Sequence, residues 1–142
     1  TDATGTSASF NKPAGITTDG TNLYVADESN HRIRKIVIST GVVTTLSGAH
    51  RGNTDATGTS ASFNGPGGIT TDGTNLYVTD YSNHRIRKIV ISTGVVTTLA
   101  GSSSGNTDAT GTSASFNNPV GITTDGTNLY VADRNHRIRK IE

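Results

Sequence analysis

Apolar positions in this chain come in short alternating runs, each closed off by Gly, Asp, Asn or Thr. The clearest is Asn22-Leu-Tyr-Val-Ala-Asp27, followed by a polar turn and then Asn30-His-Arg-Ile-Arg-Lys-Ile36. Leu23, Tyr24 and Val25 are β-formers, and the basic run from Arg32 to Ile38 is again rich in β-branched side chains. The two halves therefore predict one β-hairpin. Asp27, Ser29 and Asn30 supply its turn, because short polar side chains hydrogen-bond local backbone. Two further strands flank the hairpin. Gly15–Thr18 ends at the turn signal Asp19-Gly20, and Val42–Leu46 is reached through Ser39-Thr40-Gly41. No window holds a helical period, and Gly or Pro interrupts every long stretch.

The whole set returns twice. Thr1, Thr54 and Thr107 open copies of Thr-Asp-Ala-Thr-Gly-Thr-Ser-Ala-Ser-Phe-Asn at intervals of 53 residues, and the hairpin recurs at 75–89 and 128–141. The repeats are 1–53, 54–106 and 107–142; the third has one residue fewer in its hairpin turn, Asp133-Arg134-Asn135-His136. A period this long with several strands per unit signals a propeller or another repeat array. Four short strands joined by tight turns make an antiparallel meander, the build of a propeller blade. The expected fold is an all-β propeller of three blades in one domain over 1–142, the last blade lacking its outer strand. A blade's outer strand lies about 14 Å from its inner one, so the polar linker is expected to return that distance. Its Phe10, Phe63 and Phe116 are expected to tuck between blades.

Asn11-Lys-Pro-Ala-Gly-Ile16, then Asp19-Gly20 with Asn22–Asp27, then Asn30–Ile36 together resemble the NHL repeat, in triplicate over nearly the whole chain. The resemblance implies a six-bladed disc with each blade's first strand lining the axis. The chain departs from it in having three repeats that are almost identical. Natural repeats diverge more, which points to an engineered, reconstructed or recently amplified sequence. Three is half of six. A terminal blade exposes a face built for burial, so head-to-tail closure with a second copy into a homodimeric ring is expected.

Composition excludes several functions. The formal charge is +1 across 142 residues, so no strong field draws the chain to nucleic acid or membrane. The absence of cysteine excludes disulfides and thiolate zinc sites and leaves the compartment open. No apolar run reaches the length of a membrane span. Nothing in the sequence asks for a cofactor.

Each candidate site has a structural alternative. His31, His84 and His136 with Asp27, Asp80 and Asp133 offer metal-ligand chemistry, but equivalent mid-blade histidines lie too far apart for ~2 Å bonds. Packing or hydrogen bonding at the turn is the expected role. The basic strands invite phosphate, yet nine repeated aspartates balance nine repeated Lys and Arg residues. Asp-to-Arg pairing that knits blades together is expected, and within each blade Asp27, Asp80 or Asp133 is expected to anchor the turn and an arginine of the following strand, at a constant spacing to Arg32, Arg85 and Arg137. Asp19, Asp72 and Asp125 stand where they could ring an axis around a cation, or simply make Asp-Gly turns. Catalysis is not expected, because near-identical repeats give rings of one residue, whereas an active site needs different groups in different roles.

One asymmetry remains. The copies differ at Lys12/Gly65/Asn118, Ala14/Gly67/Val120, Glu28/Tyr81/Arg134 and in His50-Arg51 of one linker. In an up-and-down meander the second-to-third strand turn and the linker emerge on the same face. That face either binds a protein, glycan or RNA, or tolerates change because it is exposed.

Overall fold

The computed structural model describes all 142 residues and contains three antiparallel sheets. The first holds β1 (Ala3–Thr4), β2 (Pro13–Thr18), β3 (Asn22–Asp27), β4 (Arg32–Val37) and β5 (Val42–Ser47), in the order β1-β5-β4-β3-β2. The second holds β6 (Pro66–Thr71), β7 (Asn75–Asp80), β8 (Arg85–Val90) and β9 (Val96–Ala100), as a simple meander. The third holds β10 (Ile122–Thr124), β11 (Leu129–Asp133) and β12 (Arg137–Ile141). The hairpin pairs in full, from Asn22 opposite Val37 to Asp27 opposite Arg32. No helix is long and apolar enough to cross a membrane.

The linker does more than return to the inner edge. Its start pairs with the outer strand of its own repeat: Ala3 lies opposite Val43, and Thr57 bridges Val95. The reason is that an outer strand otherwise leaves a row of backbone groups unpaired. Only after a single 3₁₀ turn, Gly5–Ser7 in the first copy, does the chain run inward. The third sheet ends at β12 with one edge open.

Sheets stack face to face through two apolar layers. Tyr24, Ala26 and Ile33 of the first sheet meet Phe63, Ile69, Leu76, Ile89 and Val96 of the second. Ile86 and Ala100 of the second meet Ala114, Phe116 and Val131 of the third. Phe63 and Phe116 are buried between sheets as expected, while Phe10, with no sheet before it, stays half-buried. The inner strands β2, β6 and β10 approach so closely that a Cβ on Gly15 would lie 2.5 Å from the Gly67 carbonyl oxygen. Gly68 stands against Val120 in the same way. Only glycine permits this backbone contact.

Candidate binding face

The buried aspartates hold the hairpins. Asp27 accepts from the Asn11 backbone N–H at 2.7 Å, from Asn30 Nδ2 at 2.9 Å and from Arg34 Nη1 at 2.8 Å. Asp80 does the same with Asn64, Asn83 and Arg87, and Asp133 with Asn117, Asn135 and Arg139. The turn anchor is therefore as expected, but the arginine is not. Arg32, Arg85 and Arg137 sit directly across from these aspartates, and the ion pairs go instead to Arg34, Arg87 and Arg139, two residues on. A long guanidinium overshoots a short carboxylate directly opposite, whereas the diagonal neighbour on the same face lies at the right reach. Arg85 and Arg137 turn outward to the backbone carbonyls of Asn53 and Asn106.

The same arginines also bind the linker. Arg34 Nη2 reaches Asp2 at 2.7 Å and the Thr1 carbonyl oxygen at 2.8 Å, with its guanidinium 4.8 Å from the Phe10 ring. Arg87 repeats this with Asp55, Thr54 and Phe63. All of these partners belong to one repeat. The arginines thus tie each linker to its own sheet and do not knit neighbouring sheets together.

The histidines make the connection between sheets. His31 adopts a left-handed φ of 55° that closes the turn, and its Nδ1 accepts the backbone N–H of Gly65 in the next repeat at 3.1 Å. His84 takes the N–H of Asn118 in the same way at 3.1 Å. Gly65 and Asn118 are themselves left-handed, with φ of 67° and 50°. No three His, Asp or Glu side chains gather as a metal site. Asp19 spends its carboxylate on its own turn, accepting from the N–H groups of Thr21 and Asn22 and from the Tyr24 hydroxyl. Partial desolvation pushes its pKa up, but those hydrogen bonds outweigh it and hold it at about 2.

The differing positions converge. Ala14, Glu28, Gly65, Gly67, Tyr81, Val120 and Arg134, together with Gly15, Gly68 and Gly121, line one cavity of about 490 Å³ on the side of the hairpin turns. The glycine backbones form its floor. Arg134 lies over the Tyr81 ring at 5.1 Å, a cation–π contact between sheets. Glu28 stands beside Gly65. An acid, an aromatic and a cation thus come from three equivalent positions. Lys12, His50, Arg51 and Asn118 fall outside the cavity walls, although Asn118 Nδ2 donates to the Tyr81 carbonyl at its rim. Sequence reading missed Thr79, which stands where the other copies have Ala26 and Ala132. Its hydroxyl accepts from the Gly68 N–H at 2.7 Å and donates to the Val120 carbonyl at 2.9 Å, bracing the floor. The single Ala-to-Thr difference was the available signal.

Antiparallel meander sheets stacked about closely packed inner strands define a β-propeller architecture, and known proteins agree. A solved auxiliary nutrient binding protein from Bacteroides thetaiotaomicron superposes with a TM-score of 0.76 at 26% identity, over 89% of this chain and 36% of that one. A Bacteroides ovatus protein of the same description gives 0.75 at 28% identity, over 87% and 35%. The NHL repeat model matches residues 10–36 and 63–89. Human NHL repeat-containing protein 2 is 38% identical over 104 residues, 69% of this chain and 14% of that protein's own length. The chain belongs to the NHL repeat family.

Proposed function

We propose that the chain is a non-enzymatic scaffold, each sheet one propeller blade, whose two end faces pair with those of a second copy to close a six-bladed ring. The observation that carries this reading is the complementarity of the ends. Ile69 is 6% exposed between sheets, but its equivalent Ile16 is 61% exposed; Ile33 is fully buried, but its equivalent Ile138 is 75% exposed. The polar latch is repeated too. His136 has the left-handed φ of His31 and His84 and an unpartnered Nδ1, while Lys12 has the left-handed φ of Gly65 and Asn118 and an unpartnered N–H. Docking His136 on Lys12 of a second copy makes the joint that the two internal joints already make. Such contacts are head-to-tail, so they close only when the blade count suits the rotation. Native mass spectrometry tests the reading. It should find about twice the 14.7 kDa chain mass; a dominant monomer would sink it, and a trimer would mean nine blades.

A second reading is favoured by the cavity. Seven residues from the three aligned positions at which the copies differ face one concave space with charges of both signs and an aromatic ring, the lining expected of a ligand or partner site. The likeness to auxiliary nutrient binding proteins supports binding of a nutrient there. Loss of binding on Tyr81→Ala and Arg134→Ala, with mass unchanged, would separate this role from assembly.

A further inference from the structure

Building on the nutrient reading of the cavity over the inner strands, we propose that its ligands are short peptides with both termini free, the ammonium held at Glu28 and the carboxylate at Arg134. The equivalent residues Glu28, Tyr81 and Arg134 follow one another from the first sheet to the third, so Tyr81 of the middle sheet separates the acid from the cation. Both charges are unspent. Every ion pair of the chain lies elsewhere, and neither the Glu28 carboxylate nor the Arg134 guanidinium makes a hydrogen bond within the protein. Charges that line a concave space without partners of their own are matched by opposite charges on a ligand.

Arg134 is the better organised of the two. Its guanidinium lies over the Tyr81 ring at 5.1 Å, which steadies the planar fork and leaves its N–H donors free. Such a fork takes a carboxylate through two parallel hydrogen bonds. The same stacking covers one face of Tyr81, a surface on which a neutral sugar would otherwise lie. Glu28, half-buried beside Gly65, only accepts when ionised, and an ammonium is the charged donor that answers it.

Between the two charges the floor is main chain. The inner strands bulge there: Ala14 and Gly15 stand opposite Ala26 alone, and Gly67 and Gly68 opposite Thr79 alone. A bulge takes backbone groups out of the ladder, a device frequent beside binding sites. Such a floor suits a ligand that carries amide donors and acceptors between charged ends. A free amino acid holds its charges one Cα apart, whereas Glu28 and Arg134 stand on either side of a whole sheet; an extended tripeptide spans about 10 Å. Position 67 keeps the space open. The first repeat has Ala14 there and the third has Val120, and a Cβ on Gly67 would stand 3.4 Å from Thr79 Oγ1 and 3.9 Å from the Val120 carbonyl oxygen, at ordinary contact. The fold accepts a side chain where the middle repeat has none, and the cavity gains that room.

Isothermal titration of the intact 142-residue chain with trialanine should show saturable binding. Acetylating the peptide's N-terminus or amidating its C-terminus should each weaken it about tenfold. Glu28→Gln should weaken the free peptide to the same degree and leave the acetylated one unaltered, and Arg134→Gln should do the same with the amidated one. Gly67→Val, which installs the side chain that the third repeat already carries, should abolish binding with the circular dichroism spectrum unchanged. Maltotriose, a neutral solute, should not bind. If maltotriose or doubly blocked trialanine binds as tightly as the free peptide, and Gly67→Val removes that binding, the charged-terminus proposal falls while the nutrient reading of the cavity stands. If Gly67→Val leaves trialanine binding intact, or if neither solute binds, both fall.

Discussion

Arg87 and Asp80 meet at 2.7 Å with both side chains wholly buried, and Phe63 covers the guanidinium at 5.0 Å. A buried pair of this kind is expensive to desolvate and is held only by good geometry. Here the geometry is good because Asp80 also takes the Asn64 N–H and the Asn83 amide, and Arg87 also donates to the Ser62 and Thr54 carbonyls. The pair joins hairpin, turn and linker in one network.

Removing one partner strands the other charge in the interior. Asp80→Ala should therefore destabilise the chain by about 3–5 kcal/mol, read from chemical denaturation. Arg85→Ala, which gives up only a contact to the Asn53 carbonyl at 3.3 Å, should cost well under about 1 kcal/mol. Equal losses from the two substitutions would remove Arg87 as the ion-pair partner.

The Asp-Gly turns make stability depend on pH at both extremes. Asp19 and Asp72 are held at about 2, below their ordinary 3.8, despite desolvation that opposes this, by backbone N–H and tyrosine hydroxyl donors. A depressed carboxylate contributes stability that is present above the unfolded value and lost as pH falls from about 3.8 through 2. Tyr24 moves the other way. Desolvation and its bond to Asp19 raise it from 10.0 to about 12, so its contribution is full below pH 10 and fades as pH climbs through 12. Melting temperature should fall along both limbs, and Asp72→Asn should flatten the acid one. An acid limb that Asp72→Asn leaves unaltered would place its cause elsewhere.

The ring reading makes a sharper demand than mass alone. Ile138→Glu places a charge on a side chain that is 75% exposed in the single chain, so it leaves the fold intact. In a ring it buries that charge against Ile16 of the neighbour, which is unfavourable without a partner. Light scattering should report a monomer with an unchanged circular dichroism spectrum. A variant that still forms dimers would move the contact away from these faces.

Alternation and turn residues made the strands legible, because hairpins with Asp-Gly and Ser-Thr-Gly turns are local structures. The inter-sheet role of Phe63 and Phe116 was legible from the repeat itself. The choice between Arg32 and Arg34 was not. Both face the same way, and only the register, with Asp27 opposite Arg32, shows which guanidinium reaches a carboxylate. The cavity was half legible. Glu28, Tyr81 and Arg134 announced a differing face, but their meeting over a floor of glycines depends on how closely β2, β6 and β10 approach. That distance is set by packing between repeats, and no single repeat encodes it.

The edge of β12 yields a test of the blade assignment in one chain. Appending Ile-Ser-Thr-Gly-Val-Val-Thr-Thr-Leu-Ala-Gly after Glu142 supplies in cis the strand that β5 and β9 supply to their own sheets. The added strand buries a valine beside Phe116 and offers a threonine to Asp108, as Thr45 pairs with Asp2 and Thr98 with Asp55, gains of about 1–3 kcal/mol each before ordering entropy is subtracted. The melting temperature should rise by about 3–8 °C. Replacing the second threonine of the extension by valine should return part of that gain. If the extension stays disordered and the melting temperature does not move, β12 does not take an outer strand as β4 and β8 do.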